Sequence, residues 1–197
     1  LIHVVDISGS TDIQGQPVNI GTHDPREDIK FVEDEFDFWF KQILEREWSK
    51  LSKEIEKKST EIVNGITDRF SGLGVKDYQV HTILQNLNLL TKKPTEWNDS
   101  DLTEFAQVLR KKTKPMLIAA NKADLCKDLE ITDELHKNYD IVNCSAETEL
   151  LLKKAAKARL IDYISGNEMF VVNKNVDISP PQKEALNLVE NVLSKLN

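Results

Sequence analysis

Asn121, Lys122 and Asp124 stand at the end of a compact apolar run, Met116-Leu117-Ile118-Ala119-Ala120, which Pro115 precedes. These residue types suit one kind of ligand edge. A carboxylate on a loop accepts two hydrogen bonds side by side, so Asp124 can take both the N1 and the N2 donors of a guanine. Adenine presents an acceptor at N1, which the same carboxylate repels. The amide of Asn121 can tie its loop to a neighbouring loop, and the stem of Lys122 can lie flat along a base. Four residues recur by chance, and their place after an apolar strand gives them weight.

A second motif follows. Asp140-Ile141-Val142-Asn143-Cys144-Ser145-Ala146 reads as another short buried strand, ending in Ser-Ala. In GTP-binding domains a Ser-Ala loop at this distance from Asn-Lys-x-Asp offers a backbone N–H to guanine O6, and its small side chain lets the backbone approach. The helix-forming run Thr148 to Ala158 comes directly after. The bland alternative is a pair of ordinary core strands with polar residues where they meet loops. The joint order strand, Asn-Lys-Ala-Asp, helix, strand, Ser-Ala, helix weighs against it.

A triphosphate is held mainly by a Gly-rich loop with Lys and Ser/Thr at a helix N-terminus. The glycines are Gly9, Gly15, Gly21, Gly65, Gly72, Gly74 and Gly166, and no pair has that spacing followed by Lys-Ser or Lys-Thr. The sequence opens inside an apolar strand, Leu1-Ile2-His3-Val4-Val5. The expectation is a piece of a longer protein, with the phosphate-binding half upstream of Leu1.

The 197 residues are 40% apolar, enough for one large or two small domains. A net charge of −7 argues against a general nucleic-acid surface. No apolar run reaches membrane-spanning length, so no membrane partner is expected. Cys126 and Cys144 lack a C-x-x-C partner and fit a reducing, cytoplasmic setting, with Cys144 a small core residue; no metal site is spelled out.

The elements that must position the motifs follow from periodicity. Leu1 to Ser8 is a strand and Gly9 to Pro25 a long polar loop. Ile29, Val32, Phe36, Trp39, Phe40, Ile43, Leu44, Trp48, Leu51, Ile55, Ile62, Ile66 and Phe70 recur at three- and four-residue steps. That spacing predicts one helix, or two in line, and suggests an antiparallel coiled-coil arm whose stripe thins at Lys58 and Ser59. Shorter helices cover Lys76 to Leu87 and the segment opened by Asn98 as N-cap with Asp101 at its third position. Leu160 to Ile164 continues or caps the helix before it, Met169 to Val172 is a short apolar strand or extended piece, and Ser179-Pro180-Pro181-Gln182 opens a final helix. The strands at Leu1–Ser8 and Pro115–Ala120 would be neighbours in one parallel sheet. The expected domains are 1–24, a strand and loop; 25–113, a helical coiled-coil insert; and 114–197, carrying the guanine motifs and the terminal helix.

His3-Val4-Val5-Asp6, Gly15-Gln16-Pro17, His23-Asp24-Pro25, Pro115-Met116, Ala119 to Asp124 and Leu152 to Ala158 together resemble Obg-related GTPases, in particular the YchF-like branch of archaea and eukaryotes. The resemblance implies an α/β fold, a partial P-loop-type G domain with its parallel sheet and flanking helices, carrying an inserted helical or coiled-coil lobe. It implies the cofactors GTP/GDP and Mg²⁺, with most Mg²⁺ ligands outside this chain, and a C-terminal TGS domain that this chain lacks. Asn121, Lys122, Asp124, Ser145 and Ala146 would bind the base, and none would be a catalytic acid or base. The parent would hydrolyse GTP to GDP and phosphate, while this chain alone would be inactive. Asp6-Ile7-Ser8-Gly9 also has the D-x-x-G spacing of a Mg²⁺ motif, although the family places that motif earlier.

Two other functions stay open. The helical insert could dock on a ribosome or another RNA–protein complex with the nucleotide as a switch, or the chain could be a nucleotide-free scaffold. Charged helix faces, the only sequence feature behind docking, are more often simply solvated.

Overall fold

The computed structural model describes residues 1–58, 61–126 and 130–196. The chain divides into two compact units, one of Ile29–Met116 with Leu1, the other of Ile2–Asp28 with the residues from Leu117 onward.

The second unit is built on three short parallel strands, β1 (Ile2–Asp6), β2 (Leu117–Asn121) and β3 (Asp140–Asn143), in the order β1-β2-β3. Asp6 pairs with Asn121 and Ala120 with Asn143, so both motif-bearing loops leave the sheet at the same, C-terminal, edge. Ligands of open α/β sheets bind at that edge. Val5, Ile118, Ala120 and Ile141 are buried on one face, while Ile2, Val4 and Val142 are exposed on the other. Helix α6 (Glu130–Leu135) precedes β3, and α7 (Ala146–Lys157) follows it, N-capped by Ser145, whose Oγ accepts from the Thr148 N–H at 3.1 Å.

Leu160 to Ile164 does not extend α7. Arg159 takes φ 58° and the Leu160 N–H donates back to the Ala155 carbonyl, a left-handed helix stop. The chain then forms β4 (Ile161–Asp162), antiparallel to β5 (Val171–Val172). Helix α8 (Pro180–Leu196) opens with the Ser179 N–H donating to Gln182 Oε1 at 3.0 Å. Leu152, Ile161 and Val189 form the buried centre of this part, with Phe170, Leu186 and Leu193 packed on it.

The first unit is helical. It takes in most of α1 (Pro25–Glu45), then α2 (Trp48–Lys58), α3 (Ile62–Arg69), α4 (Asp77–Asn86) and α5 (Asp99–Thr113). The apolar stripe from Ile29 to Phe70 does not run on as a long arm. Glu47 at φ 56° separates α1 from α2, and Phe40, Leu44, Trp48, Ile66 and Phe70 of the stripe share one core with Val80, Leu84, Phe105 and Leu109, whereas Trp39 of the same stripe is exposed. Ring contacts lock it: Phe40 stacks on Phe70 at 5.5 Å, and Trp97 meets Trp48 at 5.0 Å and Phe105 at 5.8 Å. Each such buried side chain contributes about 1.5–3 kcal/mol, which is why the stripe collapses onto α4 and α5. The expected thinning of the stripe reaches Ser59, which lies outside the described residues. At α5, Asn98 Oδ1 accepts from the Asp101 N–H at 3.0 Å and Asp101 Oδ2 from the Asn98 N–H at 2.7 Å, a reciprocal cap. Arg110, 2% exposed, donates to Asp37 at 2.6 Å and Glu33 at 3.1 Å.

Candidate functional site

β2 ends at Asn121, and the next residue, Lys122, lies in the left-handed region at φ 63°. A lysine there is strained, and strain of this kind persists only where surrounding contacts fix it. The turn Ala123–Leu125 follows, with Ala123 buried and its N–H donating to the Cys144 carbonyl at 3.2 Å. The Cys144 N–H in turn donates to Ala120 O at 2.9 Å, so the loops after β2 and β3 are cross-linked through their backbones. Cys144 itself is half-buried at the mouth of the loop rather than in the strand core, and burial pushes its thiol pKa up.

The Ala146 N–H donates to Asn121 Oδ1 at 2.9 Å. Asn121 therefore ties its loop to the neighbouring one. Ser145 spends its hydroxyl as the cap of α7, accepting from Thr148 N and donating to Thr148 Oγ1 at 2.9 Å. The structure brings Asn121, Ser145 and Ala146 together beside a groove of about 570 Å³ that Val142, Tyr163 and Leu193 also line. That is within the usual range of ligand clefts, about 300–1,000 Å³. Lys122 and Asp124 do not line it. Asp124 is half-buried in the turn Ala123–Leu125.

Lys122 is drawn elsewhere. Its Nζ donates to Asp6 Oδ2 at 2.8 Å and to Ser10 Oγ at 3.0 Å. Asp6 Oδ1 also accepts from the Ser8 N–H at 3.1 Å and the Ser8 hydroxyl at 2.6 Å, and Oδ2 from Ser10 at 2.8 Å and Thr11 at 2.5 Å. Burial alone would push the Asp6 carboxyl up. Donation from Lys122, Ser8, Thr11 and Ser10 outweighs it and holds the group well below the usual carboxylate range. Both oxygens are engaged and an ammonium sits against one, so Asp6 and Gly9 do not fit a Mg²⁺ site; among the described residues no cluster of three or more acidic, His or Cys side chains could hold a metal. Gly9 has a backbone role instead. It lies at φ 60°, its carbonyl accepts from the His23 N–H at 3.2 Å, and a Cβ there would sit 2.2 Å from the His23 carbonyl oxygen. The hydroxyl run Ser8, Ser10, Thr11 behind a strand-end aspartate was the available signal for this knot, since short hydroxyls near an Asp fold back onto it.

Residues 119–197 match the family model described as "Obg-like GTPase YGR210-like, G4 motif-containing domain". The similarity is to Obg-like GTP-binding proteins. The chain is 34% identical over 197 residues to the uncharacterized GTP-binding protein MJ1332 of Methanocaldococcus jannaschii, covering 98% of this chain and 48% of that protein. It is 28% identical over 172 residues to the uncharacterized GTP-binding protein C428.15 of Schizosaccharomyces pombe, covering 85% and 41%. The crystal structure of a GTP binding protein from Pyrococcus horikoshii OT3 matches with a TM-score of 0.75 at 37% identity, over 98% of this chain and 54% of that one. The α/β fold with its parallel three-stranded sheet and flanking helices is thus that of a GTP-binding protein. The chain spans about half the length of the relatives it matches.

Proposed function

We propose that this chain carries the guanine-recognition half of an Obg-type, YchF-like GTP-binding protein, and that the protein at its relatives' full length hydrolyses GTP to GDP and phosphate. The observation that carries this is the tie from Ala146 N–H to Asn121 Oδ1. It joins the two loops whose residues have the types needed to read a guanine. Asn121 and the backbone of Ser145–Ala146 hold the shape, Lys122 offers its stem to the base, and Asp124 reads N1 and N2. None of the five is an acid or base in the chemistry. Phosphoryl transfer rests on phosphate and Mg²⁺ groups, and no Gly-x₄-Gly-Lys-Ser/Thr loop occurs in residues 1–197.

The deciding experiment is Asp124→Asn in the full-length protein. Each hydrogen bond to the carboxylate is worth about 1.5–3 kcal/mol, so GTP binding weakens by a few kcal/mol while xanthine nucleotides, which present a carbonyl in place of the amino group, gain. Equal GTP affinity in mutant and wild type would remove guanine reading from Asp124.

One observation favours an added docking role for the helical unit, on a cytoplasmic ribosome or a related RNA–protein complex. Phe31, Phe38 and Trp39 of α1 are 55%, 55% and 43% exposed. Binding of ribosomal particles that survives in wild type and is lost in the Phe31→Ser, Phe38→Ser double variant is the result this role requires.

A further inference from the structure

We propose that Asp6 is a positioning residue for nucleotide binding: with Ser10 it grips the ammonium of Lys122 and so holds the lysine stem where a guanine base would lie. The inference rests on the guanine reading given above.

Three observations converge on it. Asp6 and Asn121 are paired residues of adjacent strands, so the carboxylate is fixed to the same rigid frame as the loop it acts on. The carboxylate is itself immobilised by the Ser8, Ser10 and Thr11 hydroxyls and by the Ser8 N–H, leaving it little freedom to follow a moving lysine. Among the described residues the Lys122 side chain hydrogen-bonds through its ammonium. It is 36% exposed against 10% for Asp6, so part of it stays open to a ligand while the charge is held.

A free lysine side chain loses much rotamer freedom when a ligand orders it. A lysine already ordered by Asp6 and Ser10 escapes that loss, so preorganisation appears as affinity.

The test is a double-mutant cycle of GDP affinity, read by calorimetry in the full-length protein, using Asp6→Asn, Lys122→Met and both together. Asp6→Asn and Lys122→Met each weaken GDP about tenfold, and the double variant binds no worse than Lys122→Met alone. If Asp6→Asn leaves GDP affinity unchanged, or lowers it equally in the Lys122→Met background, Asp6 does not act through Lys122 and the proposal falls while the guanine reading stands. If the wild-type full-length protein shows no response to GDP, the guanine reading fails and takes this proposal with it. Should Asp6→Asn not fold, Ser10→Ala takes its place. Carbon relaxation of the Lys122 side chain without nucleotide then reports increased motion if the grip is real and no change if it is not.

Discussion

The Ala146 N–H and the Asn121 side chain meet at 2.9 Å, and this one bond joins the loop after β2 to the first turn of α7. It lies at the surface, where a hydrogen bond adds little to stability, yet it adds a side-chain tie to the backbone link from Ala123 to Cys144 between the two loops that would flank a base.

Asn121→Ala should therefore separate stability from binding. Loss of one hydrogen bond costs about 0.5–1.5 kcal/mol of unfolding free energy, read from urea denaturation. Nucleotide affinity in the full-length protein should fall by more than that, because the side-chain tie that holds Ala146 against the end of β2 is gone, although the backbone links through Ala123 and Cys144 remain. A binding loss no larger than the stability loss would reduce Asn121 to an ordinary loop residue.

The 197-residue chain alone should not hydrolyse GTP, and its affinity should be no better than roughly millimolar, since base contacts must offset the entropic cost of association by themselves. Calorimetry and a phosphate-release assay check this. Micromolar binding or turnover above buffer would mean that phosphate contacts exist within residues 1–197.

His23 makes stability depend on pH. Its Nε2 meets Asp28 Oδ1 at 2.9 Å, and hydrogen bonding to Asp28, opposed by burial and helped by the charges of Asp28, Glu27 and Asp24, raises its pKa above the ordinary 6.5. The folded value exceeds the unfolded one. The stabilisation is thus complete below the unfolded value and is lost as pH rises through the raised folded value. Melting temperatures should fall across that window in wild type and stay flatter in His23→Gln.

Gly9 and Gly15 form a matched pair. Gly9→Ala would place a Cβ 2.2 Å from the His23 carbonyl at φ 60°, whereas Gly15, at φ 76°, has nothing within 4 Å of a Cβ. Gly15→Ala should show only the left-handed penalty of about 1–2 kcal/mol, and Gly9→Ala clearly more. Equal costs in urea denaturation would mean that the loop from Ser10 to Thr22 gives way freely.

The Asn98–Asp101 cap was legible because its chemistry is local. The parallel pairing of Val4 with Ala119 and the tie made by Asn121 span far more of the chain, and they were legible because an apolar strand pattern on each side of the helical run and two spaced polar motifs mark them. The breaks at Glu47 and Arg159 were not. Both take positive φ without being Gly or Asn, so no helix-stop residue marks them, and tertiary packing of Trp48 and Ile161 decides them. The Asp6–Lys122 pair spans 116 positions, and nothing within either segment announces the other. The spacing that made Asp6-Ile7-Ser8-Gly9 look like a metal motif instead serves a carboxylate surrounded by hydroxyls.

The open side of the three-stranded sheet bears on how the chain behaves in concentrated solution. Ile2, Val4 and Val142 present branched apolar side chains to water at 72%, 62% and 52% exposure. Such a surface attracts copies of itself. The net charge of −7 keeps the copies apart, but only over a screening distance of about 8 Å at physiological ionic strength. Added salt thins that barrier and leaves the apolar attraction intact, so the colloidal stability of the chain should decline as salt rises, with clustering setting in long before any loss of fold.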